Sequence, residues 1–342
     1  MTIRLLVLMA LLVSIPQQAT AKTYKIATIS PDGLSWMKKL REGADEIATQ
    51  TDGRVKFKIY PGGVQGDDLT VLRKIRIGQL QGGAVAAGSL VRFYKDLQVY
   101  NLPLSFRSFD EVDFVRGKMD QHIISGLESG GMVSFALTET GFAYILSKEP
   151  VRDVEDLKQL KAWVPENDPL SAEIIKSFGI SPIPLNITDV LAGLQTGLIN
   201  AVTVPPIVAL ALQWHNHVGY ITDLPLMYIY SMLAMDAKAF KKMAPGDQLI
   251  VRNVMNQVFS EINDDNRTDN LKAYDALLSQ GVQSVVPNLE QLPNWRAVAN
   301  QSIEKLVREK VITEQGVELL ETYLEQSRQT DGAAVSSAVS IE

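Results

Sequence analysis

The 342-residue chain contains no cysteine. That excludes disulfides, thiolate metal sites and thiol nucleophiles. Histidine is scarce: His122, His215 and His217 are the only three. His215 and His217 would share a face on a strand but diverge on a helix. The stretch from Leu210 to His217 reads as helical, which argues against a two-histidine metal site. No block of lysine and arginine stands out, and the formal net charge is −6. A surface that tracks nucleic-acid phosphates needs clustered basic residues, so no nucleic-acid partner is expected. The sequence also lacks a G-x-S-x-G elbow, an H-E-x-x-H pair, a phosphate loop ending in Gly-Lys-Ser/Thr and a G-x-G-x-x-G turn. No pair of carboxylates is marked as an acid/base couple. These absences together point to a protein that is not an enzyme and needs neither cofactor nor metal.

What is present begins at the N-terminus. Arg4 precedes the apolar stretch Leu5 to Ile15, and Ala19-Thr20-Ala21 offers a small-x-small cleavage site. This order is that of a secretory signal peptide over residues 1–21, with a mature chain starting at Lys22. The stretch is short for a bilayer span, which takes roughly 20 apolar residues. No later segment is apolar enough to span, so the mature chain is expected not to cross a membrane.

The mature chain alternates strand and helix. Residues 24–29 read as a strand. Trp36, Leu40, Ala44 and Ile47 fall at helical spacing within 35–50. Val55, Phe57 and Ile59 alternate with Lys56 and Lys58 as in a half-buried strand, which Pro61-Gly62-Gly63 ends. A helix over 68–77 and a strand over 83–87 follow. Ser108 and Glu111 form a capping-box pattern opening a further helix, and 133–137 reads as a strand. In the middle, Asp168-Pro169 marks a helix start and Gly179 its end. Strands at 183–185 and 201–204 flank a helix at 189–195. Two such runs predict two α/β lobes with parallel sheets covered by helices. From Pro245 to Gln280 there is no further proline and, after Gly246, no glycine. One helix of that length would extend about 54 Å and lie across both lobes. Residues 329–342 are expected to form a disordered tail.

Four segments carry a family resemblance. They are Asp52-Gly53-Arg54-Val55 with Tyr60-Pro61-Gly62-Gly63-Val64-Gln65-Gly66-Asp67-Asp68; Leu102-Pro103-Leu104-Ser105-Phe106 with Glu111; Asp153 to Lys161; and Leu194-Gln195-Thr196-Gly197. In this order they resemble the DctP-type periplasmic solute-binding subunits of TRAP (tripartite ATP-independent periplasmic) transporters. The resemblance implies an α/β, two-lobed venus-flytrap fold braced by a long helix. It implies lobe I from residues 22–142 plus 233–262, and lobe II from 143–232 plus 263–328. It further implies a periplasmic protein that closes on a small-molecule ligand and signals to TRAP membrane subunits driven by an ion gradient.

The same resemblance exposes three departures. Where the family usually carries an arginine that clamps the ligand carboxylate, this chain has Trp163. Where a second arginine usually follows the Gly-Phe pair, Ala143 follows Gly141-Phe142. Where an asparagine usually closes the site, Val204 stands. An arginine–carboxylate pair is a strong, bidentate contact, and a carboxylate enclosed without its partner costs several kcal/mol. The expected ligand is therefore neutral, apolar or aromatic. Trp163 would stack on it, Phe142 and Phe93 would wall the cleft, and Ser89, Asp67 and Thr203 would supply polar contacts. Trp36, Val204 and Met227 are further cleft candidates by family position. Two alternatives stay open. One keeps a carboxylate ligand and moves its anchor to Arg92 or Arg107. The other is a ligand-sensing or interaction protein on the same fold.

Overall fold

A computed structural model describes the backbone of residues 21–339 and the side chains to residue 330. The signal segment therefore lies outside the described residues except for Ala21. Lys22, the expected mature N-terminus, opens β1.

The described residues form ten strands: β1 Lys22–Ala27, β2 Val55–Tyr60, β3 Gly82–Ala86, β4 Met132–Ser147, β5 Trp163–Pro165, β6 Ile183–Leu185, β7 Ala201–Val204, β8 Tyr220–Thr222, β9 Met227–Asp236 and β10 Gln283–Val285. Among the described residues eleven α-helices accompany them. They are α1 Ser35–Gln50, α2 Asp68–Arg76, α3 Phe109–Ser129, α4 Val154–Leu157, α5 Pro169–Ser177, α6 Val190–Thr196, α7 Pro206–Ala211, α8 Ala237–Phe240, α9 Pro245–Ser279, α10 Leu292–Arg308 and α11 Glu314–Val339. The last runs through most of the segment expected to be a disordered tail. Gly332 is its only strong helix breaker there, set among alanines that favour helix.

The chain folds as mixed α/β, and the sheets are not wholly parallel. β1 pairs in parallel with β2 and β3, β10 with β8, and β5 with β6. β9 runs antiparallel to both β3 and β4, and β4 runs antiparallel to β7 and β8. β4 links the two halves: Met132 to Ala143 pair with β9, while Tyr144 to Ser147 pair with β7 and β8. The chain thus passes between the halves along β4, returns at the start of β9, and crosses again in α9.

α9 covers 35 residues, about 52 Å at 1.5 Å per residue. It packs on α1 at one end, α7 toward the other, and β4 between. Its apolar side inserts Val251, Val254, Met255, Val258, Phe259 and Ile262 into one core. Between Ile262 and Ala273 the inward residues are polar. Asn263 Nδ2 donates to Leu137 O, Asn266 Nδ2 to Glu139 O and Asn270 Nδ2 to Thr140 O. Asn263 Oδ1 accepts from Glu139 N. The β4–β9 register shifts between Ser134 and Leu137 and again between Glu139 and Gly141. Such bulges leave strand backbone groups unpaired, and the asparagines satisfy them. Gly141 has φ +110°, and a Cβ there would lie 2.8 Å from Asn270 Nδ2.

Candidate ligand-binding site

A cavity of about 760 Å³ lies between the two halves. The segment after β1 and the ends of β3, β5 and β7 feed its walls, and the starts of α1, α2, α5 and α7 line it. Crevices at the carboxyl ends of strands are where open α/β sheets take ligands. On the floor, alternation along β4 presents Thr138 and Thr140, and along β9 it presents Met227, Ile229 and Ser231. Ala84 and Ala86 of β3 keep that floor low.

Of the residues expected from the sequence, Trp36, Asp67, Ser89, Trp163, Thr203, Val204 and Met227 line the cavity. Phe142 and Phe93 do not. Phe142 is buried on the other side of β4, its ring 4.9 Å from that of Phe109 and 5.7 Å from that of Tyr228. Phe93 packs against the core, with the Arg92 guanidinium 4.6 Å above its ring. A bulge reverses strand alternation, and none was read into β4 from the sequence. Ala143, next to Phe142, is fully buried.

Trp163 combines two settings. It lines the cavity, yet it is only 8% exposed. Its ring meets Trp214 edge-on at 5.3 Å, and its Nε1 donates to Leu185 O at 3.0 Å. The indole N–H is therefore committed inside the protein, so Trp163 offers the cavity an apolar surface. Val204 beside it is buried and apolar.

Several cavity residues escaped sequence reasoning. Asn186 Nδ2 donates to Asp67 Oδ2 at 2.6 Å, and Gln98 Nε2 donates to Asp168 Oδ1 at 3.0 Å; each pair joins opposite walls. Asp67 also caps α2 by accepting from Thr70 N. Desolvation pushes the Asp67 carboxyl up, but the bonds from Thr70 and Asn186 outweigh it and hold it below the usual range. Its neighbour Asp68 behaves oppositely. Burial dominates and pushes Asp68 up to about 6, against the bonds from Ala86 N and Ser89 Oγ; Asp67 adds repulsion. Both of those bonds reach Oδ2, at 2.9 and 3.1 Å. Oδ1 is shut off from solvent and has no partner, as is Oγ1 of Thr138, which also lines the cavity. An unpaired buried acceptor costs about 1–3 kcal/mol. Asp67 was expected in the cleft from the sequence, but Asp68 stood there only as part of a turn motif.

Arg92 is the one basic side chain of the cavity wall among the described residues, and no hydrogen bond or ion pair engages it there. Partial desolvation, with Arg76 adding repulsion, lowers its pKa. Arg107 is exposed and away from the cavity. Among the described residues no cluster of histidine and carboxylate side chains suited to a metal ion occurs. His215 bonds Ala209 O and Gln280, and His217 bonds Gln195. Also among the described residues, no helix is long and apolar enough to cross a membrane.

A mixed α/β molecule of two halves, with a cleft that side chains bridge from both walls, is built to enclose a small ligand. The chain belongs to the family of bacterial extracellular solute-binding proteins, family 7 (DctP), whose model matches residues 26–310. The 2,3-diketo-L-gulonate-binding periplasmic protein YiaO of Escherichia coli is 23% identical over 278 residues, 81% of this chain and 83% of that protein. The C4-dicarboxylate-binding periplasmic protein of Rhodobacter capsulatus is 27% identical over 168 residues, 47% of this chain and 49% of that one. A TRAP periplasmic solute-binding protein of Pseudomonas putida F1 with bound D-glucuronate superposes with a TM-score of 0.79 at 22% identity, covering 87% of this chain and 96% of its own. One from Desulfovibrio salexigens with bound orotic acid gives 0.81 at 17%, covering 90% and 99%. The two-lobed fold and the solute-binding class follow.

Proposed function

We propose that this TRAP-type solute-binding protein captures a ligand with an apolar or aromatic body and no carboxylate. It works in the periplasm after cleavage behind Ala21 and hands its ligand to TRAP membrane subunits. The observation that supports this reading is the wall formed by Trp163 and Val204, where the family resemblance leads one to expect arginine and asparagine. Trp163 offers no donor there, because its N–H is taken by Leu185. The proposed lobes divide near residues 142, 232 and 262, close to the crossings of β4, β9 and α9.

A thermal-shift screen tests the reading. Neutral apolar and aromatic compounds are expected to supply hits, and D-glucuronate, succinate and orotate are not. A ligand at 100 times its Kd stabilises the fold by about 2.7 kcal/mol, well within detection. Native mass spectrometry of protein purified without refolding would weigh any co-purified ligand.

A second reading has one observation in its favour. Arg92 lines the cavity without a partner, and the related structures hold D-glucuronate and orotic acid. An organic acid that binds wild type and Trp163→Ala alike, and is lost in Arg92→Ala, would establish Arg92 as a relocated anchor.

A further inference from the structure

Five carboxylates line the cavity, those of Asp67, Asp68, Glu166, Asp168 and Asp269, against the single guanidinium of Arg92. Three of the five are occupied within the protein. Asp67 takes Thr70 N and Asn186, Asp168 takes Gln98 and Ser171, and Asp269 takes Ser35 Oγ. Glu166 is exposed. Asp68 alone combines burial with an unpartnered oxygen.

The sheet places a second orphan in line with it. Asp68 Oδ2 is held by the N–H of Ala86; Ala86 is in register with Ser231 on β9, and Ser231 with Thr138 on β4. Thr138 Oγ1 is the other buried, unpartnered polar atom of the cavity residues. One row of the floor thus carries a carboxylate oxygen that can only accept and a hydroxyl that can accept as well.

We propose that this row receives a protonated nitrogen of the ligand, an ammonium or amidinium that donates to Asp68, while the ligand's apolar body lies against Trp163 and Val204. The proposal rests on the reading that the ligand carries no carboxylate and deepens it by naming the polar end. A nitrogen with several N–H donors would satisfy Asp68 and compensate the buried charge, as charge-assisted bonds do, while Thr138, two strands along the row from Ala86 and so about 10 Å from it, would meet another part of the ligand. A neutral hydroxyl would supply one donor and no charge. A ligand carboxylate would meet the like charge of Asp68, with Asp67 beside it. Around Asp68 the other ionisable groups are Asp67 and Arg73 on its own helix, Glu166, Asp168 and Asp269 on the remaining walls, Tyr230 on the floor, and Arg92 after β3. None of them donates to Oδ1.

The test uses matched probes sharing one apolar body and differing in headgroup: amine, alcohol and carboxylate on phenylethyl, cyclohexylmethyl and hexyl bodies. Calorimetric titration of the mature protein reads their affinities. The amines are expected to bind about 10- to 100-fold tighter than the alcohols. Asp68→Asn should abolish that gap, since an asparagine oxygen still accepts from Ala86 N but its amide carries no charge to favour the amine. If that variant does not fold, the wild type answers by itself: the gap should narrow from pH 7.5 to pH 5, because Asp68 gains its proton near 6. Alcohols binding as well as amines would overturn the proposal and leave the carboxylate-free reading standing. Amines that keep their advantage in Asp68→Asn, or at pH 5, would overturn the assignment to Asp68. Carboxylates binding tightest, or no probe binding, would overturn both readings.

Discussion

Asn186 donates a 2.6 Å hydrogen bond to the carboxylate of Asp67 across the cleft. The pair ties the start of α2 to the turn after β6, and Gln98–Asp168 does the same for the start of α5. Two side-chain bonds thus bridge the cleft from one half to the other.

Removing one latch should favour opening. Asn186→Ala leaves Asp67 its bond from Thr70 N, so α2 keeps its cap. A hydrogen bond to a charged group contributes about 1.5–3 kcal/mol, which bounds the loss in ligand affinity. The change should appear chiefly as faster dissociation in stopped-flow measurements, and small-angle scattering of the ligand-free variant should show an expanded envelope. An unchanged dissociation rate would mean the latch does not govern closure.

Trp163 tests the wall and the core together. Trp163→Ala is expected to weaken binding of an apolar ligand by about 1–3 kcal/mol and to lower folding stability by about 3–5 kcal/mol, because Trp214 loses its partner. Trp163→Phe keeps an apolar ring and gives up only the bond to Leu185, so its binding loss should be the smaller. Trp163→Arg should be worse than alanine on both counts, since it sets a charge in the apolar cluster that Trp163 forms with Val204 and Trp214. Urea unfolding and calorimetry separate the two effects.

The pH dependence of folding carries the mark of Asp68. Its folded pKa, about 6, lies above the ordinary value of 3.8. The folded state therefore holds a proton that the unfolded state has lost between those values. The stabilisation is fully present below about 4 and is lost as pH rises through 6. Asp68→Asn should flatten this part of the ligand-free melting profile. A wild type and variant that run parallel from pH 4 to 7 would exclude the shift.

Arg267 offers a stability test away from the cleft. It donates from Nη2 to Glu139 at 2.7 Å and to Asp113 at 2.7 Å, and Glu139 also accepts from Tyr228 Oη. The Glu139 side chain is 1% exposed. Arg267→Ala should therefore cost about 3–5 kcal/mol by stranding a buried charge. The double variant Arg267→Met with Glu139→Gln should recover part of that loss. Chemical denaturation of the three proteins decides it.

Much of the fold was legible because its signals are local. Helix α1 was read to its ends, and the starts of α3 and α5 were marked by Ser108 and Asp168, whose side chains do cap those helices. Pro245 and the glycine-free stretch after Gly246 gave the long helix. What escaped depends on distant pairing. The antiparallel course of β4 and β9 and the bulges that turn Phe142 away from the cleft are set by register, which one strand cannot display. Trp163 was read as an open aromatic face; its bond to Leu185 lies 22 residues away. Asp68 was quoted within a turn motif, and only folding shows that Ala86 and Ser89 serve one of its oxygens and leave the other bare.

The triple crossing has a consequence for anyone who would divide this molecule. A gene fragment ending before Pro245 would encode both sheets except β10 but omit the helix that packs on each side of the cleft. Val254, Phe259 and Ile262 would leave one half without its cover, and Leu137, Glu139 and Thr140 would lose the asparagines that serve their backbone. Either half expressed alone is therefore expected not to fold. Exchange of one half by recombination would cut the same contacts, so substitution within the intact scaffold is the expected route to a new ligand preference.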